Sequence, residues 1–293
     1  MLRRSWRLMS SPLPDQADYR DLVARALSED LGAGDITSRA IVPLDVRATA
    51  ILLAKSSCVV AGLPVAAEVC RQVDPQIVWR PECEDGDRRE AGQILATLEG
   101  PAASLLGAER TLLNLLQHLT GVATMTRAFV DAAGGRITIL DTRKTLPTLR
   151  GLEKYAVRCG GGTNHRFGLF DGVLIKDNHI RVAGSIHQAV TRMREDLASR
   201  GITMPIEVET QSLAEVDDAI AAGADIIMLD NLDLAQMRDA IGRIAGRARV
   251  EISGGVTLDR IPALAGIGAD CVSVGALTHS AGAADISLEI ETH

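Results

Sequence analysis

Six short apolar runs, each ending at a polar or glycine residue, constrain this chain more than any other feature. They are residues 137–140, 172–175, 205–208, 226–229, 250–252 and 271–274. Runs this short and rich in Val, Ile and Leu read as strands buried on both faces, the usual condition of strands in a parallel sheet. The segments between them carry helix signals. Ser212 with Glu215 and Asp233 with Gln236 fit capping boxes, and Gly223 after Ala221 and Ala222 fits a helix C-cap. Alternating strands and helices joined by right-handed crossovers predict an α/β fold, either a barrel or a doubly wound sheet. Six strands fall short of the common eight, so an incomplete parallel α/β barrel of about six strands fits better.

The 293 residues leave room for a smaller domain ahead of that barrel. Residues 19–31 read as an amphipathic helix with Leu22, Val23, Ala26 and Leu27 on one face. From residue 36 to 98 the pattern changes to short, partly alternating segments. Strands are expected at 48–54 and 59–61, a helix at 64–71 and a turn at 85–87, which together suggest a small α/β sandwich. A helix over 104–118 follows, with Leu105, Leu112, Leu116 and Leu119 at helical spacing.

A net charge of −7 argues against a nucleic-acid surface. No apolar run approaches the roughly 20 residues of a membrane span. The first dozen residues, MLRRSWRLMSSP, are basic and serine-containing without the apolar core of a secretory signal. Five cysteines (Cys58, Cys70, Cys83, Cys159 and Cys271) with no C-x-x-C pair suggest reduced thiols in the cytoplasm, with neither a zinc site nor a disulfide framework.

Parallel α/β folds place function at the carboxyl ends of their strands. Read in order, those ends are Arg143-Lys144, Lys176, Glu209, Asp230, Ser253-Gly254-Gly255 and Gly275-Ala276. A glycine-rich loop, Gly160-Gly161-Gly162-Thr163-Asn164-His165-Arg166, lies between the first two. Singly, each group has an ordinary explanation. Arg143 and Lys144 fit surface charges at a helix start, Lys176 an ion pair with Asp177, His165 a structural hydrogen bond, and Glu209 and Asp230 helix N-caps. Glu207 shares a strand face with Glu209 and competes with it for any role there. Taken together, five basic groups converging in an acidic chain call for a small, multiply anionic ligand, because desolvated like charges are costly without one. The two glycine-bearing ends suit a phosphate, with Thr278, His279 and Ser280 as further donors. Two carboxylates in the middle suit ribose hydroxyls or a divalent cation. Phosphate, sugar and a carboxylated acceptor then lie along one line, which describes transfer of a phosphorylated ribose.

The stretch DTRKTLPTLRGLEKYAVRCGGGTNHRFGLFDGVLIKDNH resembles the central signature of the quinolinate phosphoribosyltransferases (carboxylating nicotinate-nucleotide pyrophosphorylases). The likeness runs from about Leu27 to Ile290 and includes EDLGAGDITS, VAGLP, GAERTLLNLLQHLTGVAT, IEVET, IIMLDN, EISGG and SVGALTHS. It implies a tail over 1–18, disordered or extended, then a sandwich domain over 19–117 joined by 280–293, and a catalytic barrel over 118–279. It further implies a homodimer or higher assembly whose sites are shared between subunits. The implied reaction joins quinolinate to 5-phosphoribosyl-1-diphosphate with Mg²⁺, giving nicotinate mononucleotide, diphosphate and CO₂. By motif position, Thr142, Arg143, His165 and Arg166 would hold quinolinate. Arg110 would join them, as would Arg47 from the partner subunit. Lys144 and Lys176 would serve the reacting centre, one facing quinolinate and one the diphosphate. Glu209 and Asp230 would hold ribose hydroxyls and, directly or indirectly, the metal. Ser253, Gly254, Gly255, Gly275 and Ala276 would cradle the 5-phosphate. Three alternatives stay open: a phosphoribosyltransferase paralogue with another acidic acceptor, a Schiff-base aldolase using Lys144 or Lys176, and a non-enzymatic anion sensor.

Overall fold

The computed structural model describes residues 16–292. The tail expected over 1–18 lies outside these residues as far as position 15. In chain order, α1 (Gln16–Leu31) and α2 (Ile36–Ile41) precede β1 (Arg47–Ala54), β2 (Cys58–Val59), α3 (Leu63–Val73), β3 (Val78–Pro81), β4 (Arg88–Arg89) and β5 (Ile94–Pro101). The long α4 (Ala102–Ala133), β6 (Thr138–Leu140) and α5 (Arg150–Cys159) follow. Next come β7 (Val173–Ile175), α6 (Asp177–Ala183), α7 (Ile186–Ser199), β8 (Ile206–Thr210), α8 (Leu213–Ala222), β9 (Ile226–Asp230) and α9 (Leu234–Ile244). The chain closes with β10 (Arg249–Ser253), α10 (Ile261–Leu264), β11 (Cys271–Ser273), α11 (Ala276–His279) and β12 (Ile286–Thr292).

Two compact units result. The first holds the described residues up to Arg127, Thr145–Gly161 and the stretch from Leu277; the second holds Ala128–Lys144 and Gly162–Ala276. The first unit is built on an antiparallel sheet in the order β12-β1-β5-β3. Along β1 exposure alternates, so that Ala48, Ala50, Leu52 and Ala54 are buried, as a half-buried sheet requires. On α1, Tyr19, Val23 and Leu27 are buried, at helical spacing. That helix packs on α3, and a fully buried side chain of this size stabilises by roughly 1.5–3 kcal/mol.

The helix expected over 104–118 runs to Ala133. Its second half carries Thr120, Thr124 and Thr126, which lower helix propensity by competing for backbone bonds. Here two of those hydroxyls return to the helix, Thr124 Oγ1 donating to the Thr120 carbonyl at 2.7 Å and Thr126 Oγ1 to the Val122 carbonyl at 2.8 Å. Gly121 permits a close backbone approach: a Cβ there would lie 2.0 Å from the Gly282 carbonyl oxygen. Segment 145–161 is fastened to the first unit by polar contacts. Glu153, fully buried, accepts from the Leu146 amide at 3.2 Å and meets His118 Nε2 at 2.8 Å, while Tyr155 donates to Asp85 at 2.7 Å. Asp85 also accepts the Gly62 and Leu63 amides at the start of α3, at 3.0 and 3.1 Å.

In the second unit the six expected strands form one parallel sheet in the order β6-β11-β10-β9-β8-β7. This is the order of a barrel opened between β6 and β7. All five residues of β8 are buried, as are four of the five in β9. The expected helix ends are present. Ser212 accepts from the Glu215 amide, Asp233 and Gln236 form a full capping box, and Gly223 caps α8 at φ 75°. The Glu215 carboxylate reaches the Gln211 amide instead of Ser212, at 2.6 Å.

Candidate active site

Parallel register decides which side chains share a face. Glu207 pairs with Ile226, Glu209 with Met228, Glu251 with Met228 and with Cys271, and Ser253 with Asp230. Because side chains alternate with a period of two, Glu209, Asp230, Ser253 and Ser273 share one face at the carboxyl ends of β8 to β11. Two residues earlier on the same strands and face stand Glu207, Met228, Glu251 and Cys271. The N-caps of α8 and α9 are Ser212 and Asp233, so Glu209 and Asp230 are not used as caps. Glu209 Oε2 lies 3.3 Å from Lys176 Nζ, and Asp230 Oδ2 accepts from Asn231 Nδ2 at 2.8 Å.

The basic cluster is assembled by one buried acid. Asp141, fully buried after β6, accepts from Asn164 Nδ2 at 2.6 Å and from the His165 amide at 2.8 Å. Thr163 donates to the Ile139 carbonyl at 2.9 Å and accepts from the Asp141 amide at 3.1 Å, forming a parallel bridge with Leu140. The glycine-rich loop is thereby laid along the open edge of β6. Further on, the Asp171 carboxylate accepts from the Phe167 and Gly168 backbone amides, both at 2.7 Å, and Arg166 Nη1 donates to the Gly172 carbonyl at 3.2 Å. Arg166 is 7 % exposed. Burial and the charge of Arg143 lower its pKa, against the opposing influence of Glu207 and Asp171. Arg143 and Thr142 are half-buried, Lys144 is exposed, and the Lys144 amide donates to Thr142 Oγ1 at 3.0 Å.

Gly254 has φ 90° and Gly255 φ 54°. A Cβ on Gly254 would lie 2.2 Å from Asn231 Oδ1 and 2.7 Å from the Asn231 backbone nitrogen. Asn231, itself left-handed at φ 57°, donates its amide to the Ser253 carbonyl at 3.1 Å. The ends of β9 and β10 are thus locked together, with the Ser253-Gly254-Gly255 backbone bared. Gly275 and Ala276 follow β11, where the Val274 amide donates to the Leu140 carbonyl at 2.9 Å. Arg47, the first residue of β1, and Arg110, on α4, are exposed and belong to the first unit. Thr142, Arg143, Lys144, His165, Arg166, Lys176, Glu209, Asp230, Ser253, Gly254, Gly255, Gly275 and Ala276 belong to the second unit, whereas Gly160, Gly161, Thr278, His279 and Ser280 belong to the first.

His165 points away from the strand ends. Its Nδ1 accepts from the Arg166 amide at 2.7 Å, while Nε2 lies 3.3 Å from Glu207 Oε2 and 3.5 Å from Glu251 Oε2. One ligand-type atom from each of these three residues falls within 4.8 Å of the others. Burial lowers the basicity of the imidazole, but the two carboxylates outweigh it and the net direction is upward; Glu207 rises through burial and the charge of Glu251. The cluster therefore keeps a proton that solution would not give it. The Arg166 amide occupies the Nδ1 lone pair, so the ring carries a proton on Nε2, the nitrogen that faces the two carboxylates. Sequence reasoning treated Glu207 only as a rival of Glu209 and passed over Glu251 and Asp171; Asp141 it quoted without a role. The available signal was an acid in the middle of a buried run, in IEVET and again in VEIS, where an unpaired charge is too costly to bury.

Two family models match, the N-terminal domain of quinolinate phosphoribosyl transferase over residues 35–120 and its C-terminal domain over 122–289. A probable carboxylating nicotinate-nucleotide pyrophosphorylase of Bacillus subtilis is 44% identical over 263 residues, 89% of this chain and 90% of that protein. The carboxylating nicotinate-nucleotide pyrophosphorylase of Mycobacterium leprae is 44% identical over 280 residues, 92% of this chain and 96% of that protein. Among solved structures, NadC from Streptococcus pyogenes superposes with a TM-score of 0.91 at 42% identity, covering 97% of this chain and all of that one.

Proposed function

The chain belongs to the quinolinate phosphoribosyl transferase family, and from that premise we propose that it transfers phosphoribose from 5-phosphoribosyl-1-diphosphate to quinolinate with loss of CO₂, a step of NAD biosynthesis. The observation that carries this is the setting of Arg166, 7 % exposed in a loop anchored by Asp141 and Asp171, where burial and the charge of Arg143 lower its pKa. A buried guanidinium within reach of a second positive charge favours a dianion beside them, and a pyridine dicarboxylate is one. Arg143 and Arg166, with Thr142 beside them, hold the two carboxylates and orient the ring nitrogen towards the ribose. A guanidinium neutralises them without giving up a proton, so the nitrogen keeps the lone pair with which it attacks.

Attack at C1 of the ribose expels diphosphate through a state with oxocarbenium-like positive charge. Glu209 and Asp230, at the ends of neighbouring strands, bind the ribose hydroxyls and offset that charge. The same two carboxylates are hard oxygen donors of the kind that suits Mg²⁺; when bound, the ion supplies charge neutralisation for the departing diphosphate. Lys144 and Lys176 complement the diphosphate and the acceptor at the reacting centre. The amides of Gly254, Gly255, Gly275 and Ala276, with Ser253, take the 5-phosphate. After transfer the pyridinium positive charge sits beside the 2-carboxylate and accepts the electron pair left as CO₂ departs, so no separate base is required.

Arg47 and Arg110, on the first unit, complete the acceptor pocket in this account, Arg47 from the partner subunit of a homodimer. All five cysteines are free, which suits the reducing cytoplasm. Among the described residues no helix is long and apolar enough to cross a membrane.

The test is calorimetry on Arg143→Ala. Loss of a bidentate, charge-assisted contact of ~2–3 kcal/mol lowers quinolinate affinity by about 30- to 150-fold. Binding of phosphoribosyl diphosphate stays within about threefold. Equal loss of both ligands would refute the assignment.

A further inference from the structure

Beneath the basic cluster, His165, Glu207 and Glu251 form a buried polar group for which the reaction above has no use. Glu251 is fully buried and Glu207 is 4 % exposed. Each keeps a buried carboxylate oxygen, Oε1, without a hydrogen-bond partner. Such groups are expensive unless they hold something.

A metal ion is the first candidate, since His, Glu and Glu within 4.8 Å of one another could ligate one. The ring orientation opposes it. Nδ1 receives the Arg166 amide at 2.7 Å, so the Nε2 lone pair a metal would need is taken up by a proton. Turning the ring over would set a carbon 2.7 Å from that amide nitrogen, well inside van der Waals contact. What Nε2 offers the two carboxylates is an N–H.

Resting on the acceptor reading of Arg143 and Arg166, we propose that Glu207 and Glu251 are positioning residues. By accepting the Nε2–H of His165 they hold the imidazole in one orientation, so that Nδ1 fixes the Arg166 amide and, with it, the guanidinium of the acceptor site. The chain of contacts is short and continuous. Glu207 and Glu251 stand on β8 and β10, rigid strands flanking β9, and His165 bridges them to a loop otherwise tied down by Asp141 and Asp171. The Glu207 charge also opposes the depression of the Arg166 pKa by Arg143.

The experiment compares Glu207→Gln/Glu251→Gln with Glu207→Met/Glu251→Met, measuring kcat and both KM values. A Gln carbonyl still accepts Nε2–H, whereas Met leaves that N–H unmatched, so only variants whose circular dichroism and melting show a folded protein enter the comparison. The expected result is a KM for quinolinate raised about tenfold or more in the Met pair and held within about twofold in the Gln pair. The KM for phosphoribosyl diphosphate stays within about twofold in both. A purely structural role would lower the active fraction and leave both KM values alone, which would overturn the proposal; so would equal damage by Gln and Met, the sign of a charge effect. In wild-type protein carrying ¹⁵N-histidine, the signals of His165 at neutral pH should show a protonated Nε2 and a bare Nδ1. A proton on Nδ1, or a bound metal found by elemental analysis and lost in the Gln pair, would contradict it. Wild-type protein that fails to turn over quinolinate would sink the acceptor reading instead, and the histidine signals would still judge the hydrogen-bond arrangement.

Discussion

Replacing Gly254 by alanine strikes first at the strand end that the proposed function assigns to the 5-phosphate. At φ 90° an L residue is strained, at a cost of about 1–2 kcal/mol. The added methyl would also stand 2.7 Å from the Asn231 backbone nitrogen and 2.2 Å from its Oδ1. The side chain can swing aside, but the backbone nitrogen can move only with the end of β9, and Asp230 is the preceding residue. Relaxing that contact adds a similar ~1–2 kcal/mol. If the strain is relieved by displacing the loop, the sum of ~2–4 kcal/mol appears as a roughly thirty- to thousandfold loss of phosphoribosyl diphosphate affinity. Quinolinate, which the proposed function gives to Arg143 and Arg166, should bind the free variant within about threefold of wild type. Isothermal calorimetry with each ligand separately reads both numbers. A Gly254→Ala protein that binds phosphoribosyl diphosphate as wild type does would show that this loop is not the phosphate cradle.

Three further outcomes are expected. Chelation with EDTA should abolish turnover and added Mg²⁺ restore it, while Asp230→Ala should raise the Mg²⁺ concentration needed for half-maximal rate. Mixing Arg47→Ala with a Lys176→Ala protein should regain up to about a quarter of wild-type activity, since random pairing of two inactive chains makes some intact shared sites; no recovery would mean that Arg47 does not act across subunits. Asp85 titrates above its ordinary 3.8 because burial outweighs its hydrogen bonds to Gly62, Tyr155 and Leu63. Its folded pKa exceeds its unfolded one, so its contribution is fully present below about 3.8 and declines as pH rises through the folded value. Denaturant titrations should therefore show wild type losing ground to Asp85→Asn as pH rises through that window, and a difference that grows instead would reverse the sign.

Elements set by local chemistry were legible in the sequence. The six strands announced themselves as short aliphatic runs, and Asp233, Ser212 and Gly223 marked helix ends that do not depend on distant contacts. Polar residues at the strand ends followed from the same periodicity. What escaped was non-local. The assignment of Thr145–Gly161 to the first unit rests on His118 meeting Glu153 and Tyr155 meeting Asp85, pairs 35 and 70 residues apart. The second half of α4 was hidden because threonine and glycine usually weaken a helix, and their compensation lies in backbone contacts and a crossing segment. The orientation of His165 was beyond reach for a related reason. Glu207 and Glu251 are separated by a whole strand, and only the curvature of the sheet turns both carboxylates onto one imidazole.

The most direct test of the account is turnover of quinolinate with phosphoribosyl diphosphate and Mg²⁺, following nicotinate mononucleotide and CO₂ together, with nicotinate as a parallel acceptor. The arginine pair predicts equal amounts of both products from quinolinate and no turnover of nicotinate. Turnover of nicotinate, or mononucleotide formed without matching CO₂, would contradict a dicarboxylate pocket between Arg143 and Arg166.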